Sequence, residues 1–132
     1  MWKIAIQKSG KLFESSVKLL KDSGVVFNTS KDNLRVKAVN FPLEILFLRD
    51  DDIPICVSDG VADLGIVGLN LLEEQKSQLP VVFSFGFGKC RLSLAAYANA
   101  GINNIKDING RKIATSYPNT LQNFLKSNDI QA

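Results

Sequence analysis

Two rhythms of apolar residues run along this chain. Residues 3–7, KIAIQ, and 34–39, LRVKAV, alternate apolar with polar positions, and a period of two predicts strands. Residues 44–48, EILFL, are more continuously apolar, as in a strand covered on both faces. Between them Phe13, Val17 and Leu20 recur at i, i+4 and i+7, flanked by Leu12, Ser16 and Leu19. That spacing predicts an amphipathic helix, opening after Ser9-Gly10 and stopped at Gly24. Asp52 in an N-cap position and Pro54 in a first turn predict a second helix, running to about Asp59. Residues 63–67, DLGIV, form another expected buried strand. Asn70 then caps a short helix, with Glu73 at capping-box spacing. Strands are expected at 81–85 and 91–97, separated by a Gly-Phe-Gly-Lys loop. After a polar, turn-rich stretch at 98–110 come a strand at 112–115 and a helix at 118–126.

Strands alternating with helices predict an α/β fold with a mainly parallel sheet. No internal repeat or low-complexity segment interrupts it. The strand–helix group after residue 91 contains too few elements to close a core alone and reads as the opening of a second lobe.

Composition is that of one globular domain: 132 residues, 45% hydrophobic and 22% charged. The net charge of +3 is too small to call for nucleic acid. Charge is uneven, however. Residues 1–84 hold 10 of the 16 basic and 11 of the 13 acidic groups, leaving 6 basic and 2 acidic for residues 85–132. That balance suits an anionic ligand and equally a solvated, lysine-rich face. Cys56 and Cys90 lack CxxC spacing, in keeping with a reducing, cytoplasmic setting. MWKIAIQKSG has no apolar signal core, and no apolar run is long enough to span a bilayer. Asn28-Thr29-Ser30 matches a glycosylation sequon, which has little meaning in a cytosolic chain. With no histidine, Ser-His and Cys-His pairs and His-based zinc sites are excluded from within this chain.

In open α/β sheets ligands lie beyond the carboxyl ends of the strands, and four predicted ends carry polar residues. Lys8-Ser9-Gly10-Lys11 leads a strand into a helix N-terminus, where free N–H groups and the dipole favour anions. It lacks GxxxxGK[ST] and is not a P-loop; a plain Ser-capped helix with solvated lysines fits it too. Arg49-Asp50-Asp51-Asp52 offers a guanidinium able to grip phosphate through two donors. Helix capping with an internal ion pair accounts for the same residues, and Mg²⁺ on a carboxylate and phosphates is a further option. Gly68 ends a buried strand where a ligand can approach the backbone, or simply makes a tight turn. Ser116 and Tyr117 precede Pro118 at another helix start. Either Ser116 or Thr115 suits a cap, and Tyr117 suits stacking on a base or on the other lobe. Gly86-Phe87-Gly88 fails the GxGxxG pattern and carries no weight.

IAIQKSGKL, RDDDIP, DGVADLGIVGLNLLEE, CRLSLA and RKIATSYP stand in this order and spacing along nearly the whole chain. The series resembles ATP phosphoribosyltransferase, which opens histidine biosynthesis. The resemblance implies two α/β lobes of the type II periplasmic-binding-protein kind, incomplete here: residues 1–90 as the first lobe and 91–132 as the beginning of the second. It implies coupling of ATP to phosphoribosyl pyrophosphate with Mg²⁺ assistance, and assembly of dimers into larger homo-oligomers, without nucleic acid or membrane. By the same resemblance Arg49 and Lys8 are catalytic, and Lys8, Ser9, Gly10, Lys11, Asp50, Asp51, Gly68, Ser116 and Tyr117 bind substrate, with no metal ligand assigned. The aspartates would cap the helix and hold Arg49. Two positions depart from the family: Leu69, where a polar residue is usual, and Lys11, where Arg is common. The family's phosphoribosyl pyrophosphate loop lies beyond the end of this chain, so an N-terminal portion that is inactive alone is expected. A non-catalytic small-anion binding module and a non-catalytic assembly subunit are the alternatives.

Overall fold

A computed structural model describes residues 1–29 and 32–132; Ser30 of the sequon lies outside the described residues. Among these, four strands form one sheet in the order β2-β3-β1-β4. The strands are β1 (Trp2–Gln7), β2 (Arg35–Lys37), β3 (Leu43–Leu48) and β4 (Leu64–Gly65). β1 pairs in parallel with β3 and β4, and β2 joins β3 antiparallel at the margin. The expected mainly parallel α/β layout is therefore present.

Central strands are apolar because both faces are covered. Ile4 and Ile6 on β1 and Leu43, Ile45 and Phe47 on β3 point to one side. There they meet Leu20, Phe13 and Val17 of α1 (Lys11–Asp22), the stripe its period predicts. Ala5 and Leu46 point to the other side and pack on Ile53 of α2 (Ile53–Ser58) and on Ala62. The helix α1 stops as expected: Gly24 follows its end at φ 92, and Val25 N–H closes back on Leu20 C=O at 3.0 Å. Glu44 is buried on β3 but paired with Arg35 of β2, whose Nε donates to it at 3.0 Å.

Gly65 is needed for close approach rather than for its torsions. A Cβ there would lie 2.6 Å from Ile53 Cγ2 and 3.1 Å from Val57 Cγ2, so β4 accepts α2 only without a side chain.

Several predicted elements differ. The strand expected at 63–67 is two residues long and exposed, with only Ile66 buried beyond it, because β4 is a margin with one neighbour. Asp52 precedes α2, but no side chain among the described residues caps it; residues Asp50–Asp52 instead form a 3-10 turn. The helix α3 (Leu69–Glu74) starts after Gly68, which places Asn70 inside it, so the Asn70–Glu73 capping box does not form. Residues 81–85, 91–97 and 112–115 form no ladder among the described residues. The apolar side chains of 81–85 and 91–97 stay exposed, Val82 at 78% and Tyr97 at 88%, whereas Ile113 is partly buried. A separate small core gathers Ile108, Leu125 and Ile130, with Ile102, Ile105 and Ile113 against it. It joins α4 (Pro118–Ser127) to a 3-10 turn at Ile105–Ile108, closed by a capping box between Asn104 and Asp107.

Candidate functional site

Because β1, β3 and β4 run parallel, their carboxyl ends open on the same side of the sheet. Gln7 lies opposite Leu48 in the β1–β3 register, and Lys8 N–H donates to Leu48 C=O at 2.9 Å. The last bond of the ladder thus sets Lys8 beside Arg49, although the two are 41 positions apart in sequence.

Gly10 turns the chain into α1 at φ 87, a conformation that L side chains rarely adopt. It occupies the N-cap position, and no side chain among the described residues caps α1. The Ser-capped alternative therefore fails. The first-turn N–H groups, which have no partner within the helix, are flanked by Lys8, Ser9 and Lys11, all exposed. Glu14 in the first turn offsets part of the positive potential.

Arg49 keeps a side-chain exposure of 67% and stands 3.7 Å from Asp51 Oδ2. Asp50 Oδ1 accepts from Asp51 N–H at 2.9 Å, and Asp52 N–H donates to Arg49 C=O at 3.0 Å. The aspartates thus shape the turn and flank Arg49, but they do not cap α2. At 3.7 Å and in solvent the Arg49–Asp51 pair is weak, so a ligand anion can displace it.

The remaining two groups come together at α3 and α4. Gly68 precedes α3 directly. Asn70 Nδ2 donates to the Tyr117 hydroxyl at 3.3 Å, which ties Tyr117 to the first turn of α3. Ser116 is exposed. Thr115 Oγ1 accepts from Tyr117 N–H at 2.9 Å, and Pro118 opens α4. The expected Ser or Thr cap of α4 is replaced by Glu74, which sequence spacing did not single out. Its Oε2 accepts from Asn119 N–H at 3.0 Å and its Oε1 from Thr120 N–H at 2.9 Å, while Asn119 Nδ2 donates to Glu74 C=O at 2.9 Å. Burial pushes the Glu74 carboxyl upward, but the Thr120 and Asn119 N–H groups outweigh it and hold it below the usual carboxylate range. Gln75 Nε2 donates to Asp51 C=O at 2.9 Å, tying α3 to the Arg49 turn. Local patterns could not show these bonds, which span 24 to 46 positions.

Among the described residues no three or more His, Cys, Asp or Glu side chains gather as a metal site. No helix among the described residues is long and apolar enough to cross a membrane.

A family model described as ATP phosphoribosyltransferase matches residues 49–132. The chain is 49% identical over 130 residues to the ATP phosphoribosyltransferase of Cytophaga hutchinsonii, covering 98% of this chain and 46% of that protein. It is 49% identical over 132 residues to that of Bacteroides thetaiotaomicron, covering 100% of this chain and 47% of the relative. The chain spans about half the length of the curated relatives it matches. Among solved structures, an ATP phosphoribosyl transferase (HisG:HisZ) complex from Thermotoga maritima superposes with a TM-score of 0.77 at 28% identity. That match covers 99% of this chain and 61% of the other.

Proposed function

The chain belongs to the ATP phosphoribosyltransferase family, and from that premise we propose that it carries one side of a site joining ATP to phosphoribosyl pyrophosphate. In that reaction N1 of the adenine forms a bond to the anomeric carbon of the ribose. The bond from that carbon to the pyrophosphate oxygen breaks, and pyrophosphate leaves with the electron pair. Negative charge grows on the leaving group, so fixed cations near it stabilise the transition state more than the ground state. Arg49 and Lys8 supply those cations and are the proposed catalytic residues. Ser9, Gly10 and Lys11 offer the uncapped α1 N-terminus to phosphate oxygens, with Asp50 and Asp51 shaping the rim. Gly68, Ser116 and Tyr117 line the opposite margin, where the Tyr117 ring suits the adenine. Bound to the polyphosphate substrates, Mg²⁺ would screen their charge beside Arg49 and Lys8.

The observation that carries this reading is the juxtaposition of the uncapped α1 start with Lys8 and Arg49 at one end of parallel strands. The separate small core between Ile102 and Ile130 supports a two-lobed, type II periplasmic-binding-protein-like arrangement, residues 1–90 and 91–132. The relatives are named as transferases, which disfavours a non-catalytic anion-binding module. The Thermotoga structure is a complex and supports oligomeric assembly; a cytoplasmic location is proposed from the isolated cysteines, Cys56 and Cys90 both being free thiols. The decisive test is calorimetric titration of ATP, then of phosphoribosyl pyrophosphate, into the 132-residue chain. Saturable ATP binding without turnover is expected. Tight binding of an amino acid or simple oxyanion in place of ATP would overturn the reading.

A further inference from the structure

The helix α4 starts with a carboxylate already in place. A helix N-terminus presents N–H groups that lack partners within the helix, and an anion there is held by both hydrogen bonds and dipole. Here the anion is Glu74, the last residue of α3, 8% exposed and accepting from two successive α4 amides, one on each oxygen. Asn119 returns a bond from its side chain to the Glu74 carbonyl. One turn earlier on α3, Asn70 reaches Tyr117. Two helices from distant parts of the chain are therefore stapled at two points, one of them joining Asn70, two residues after Gly68, to the α4 N-cap Tyr117.

We propose that Glu74 is a positioning residue: its carboxylate clasps the first turn of α4 and thereby holds Ser116 and Tyr117 over the Gly68 turn. Two consequences follow. The α4 start does not serve as a phosphate site, because its amides are spent on Glu74, whereas the α1 start remains open. The margin formed by Gly68, Ser116 and Tyr117 is also set before any ligand arrives, which lowers the ordering cost of binding. The clasp stands on its own geometry; only the identity of what Ser116 and Tyr117 touch rests on the proposed function.

The test uses the whole 132-residue chain with Glu74→Gln, in nuclear magnetic resonance. A glutamine can accept at its carbonyl alone and turns an NH₂ group toward the second amide. In the parent chain the Asn119 and Thr120 amide resonances are expected to shift together on acidification, below the ordinary carboxylate range, reporting the facing carboxylate. Lys76 is the charged neighbour bearing on Glu74. In Glu74→Gln the shared titration is expected to vanish. Exchange at the two amides should rise about tenfold while β1 and β3 amides stay protected. Contacts between the Tyr117 ring and the Asn70 side-chain amide should be lost. Should Glu74→Gln fail to fold, Asn119→Ala removes only the returning bond and is expected to weaken the same ring contacts. Unchanged Tyr117–Asn70 contacts in a folded Glu74→Gln chain, or amides that do not titrate in the parent, would overturn the proposal. Failure of ATP to bind would count against the functional reading and leave these readouts intact.

Discussion

Replacing Arg49 by alanine should separate stability from binding. Its guanidinium is 67% exposed, and among the described residues the carboxylate it pairs with, Asp51 Oδ2, is at 3.7 Å and 58% exposed. A solvent-screened pair of that length contributes about 0–1 kcal/mol, and surface substitutions of this kind usually fall within about 0.5 kcal/mol. Urea unfolding of Arg49→Ala should therefore match the parent closely. Binding should not. A hydrogen bond to a charged group is worth about 1.5–3 kcal/mol, which is about 10–150-fold in affinity. Calorimetry with ATP and with pyrophosphate, in low salt and again at about 0.15 M salt, would measure it, since screening trims any purely surface effect. Arg49→Lys should recover part of the loss, because a point charge replaces a two-pronged donor. A large drop in stability would make Arg49 structural. Undiminished affinity would remove it from the site altogether.

Three other outcomes are expected. Gly65→Ala should destabilise by about 1–3 kcal/mol through overpacking, since its Cβ would meet Ile53 Cγ2 at 2.6 Å; an unchanged urea midpoint would contradict the close packing of α2 on β4. Ser9→Ala should leave stability within about 0.5 kcal/mol, because Ser9 makes no cap, whereas loss of a true N-cap costs about 1 kcal/mol. Stability should fall on acidification. Glu44 is held below its ordinary value by the Arg35 hydrogen bond against its burial, Asp107 by the N–H groups of Asn103 and Asn104, and Glu74 by the α4 amides despite its burial. Such depressed carboxyls contribute stability above the unfolded carboxylate range and lose it as pH drops through the folded values, so urea midpoints should decline below about pH 4.5. A midpoint that rises on acidification would refute the assignment.

What the sequence made legible was whatever a short window contains. The stripe of Phe13, Val17 and Leu20 returns as the face of α1 on the sheet, and the apolar run at 44–48 returns as β3, because burial on one face or on two imposes those periods directly. Strand pairing is another matter. The run VVFSF at 81–85 is as apolar and β-branched or aromatic as a strand needs, yet it forms no ladder among the described residues, since composition records a tendency and pairing requires a neighbour. Conversely, Ile102, Ile105 and Ile108 recur every third residue, which is the 3-10 period. The polar residues between them masked a turn that helps build the small core.

Capping shows the same limit from the polar side. Local patterns put caps at Ser9, Asp52 and Asn70, and none of the three caps its helix. A helix start needs its N–H groups satisfied by something, not by its nearest neighbour in sequence. At α4 that something is Glu74, 45 positions earlier than Asn119. At α1 the described residues supply nothing. The difference orders the candidates: of the starts of the two longer helices, only that of α1 still has a demand that a ligand can meet. It stands next to Lys8 and Arg49 because the parallel register of β1 and β3 puts it there. An anion bound at that corner completes the helix's hydrogen bonding while facing two cations, and so the proposed phosphate site coincides with the structure's own unmet need.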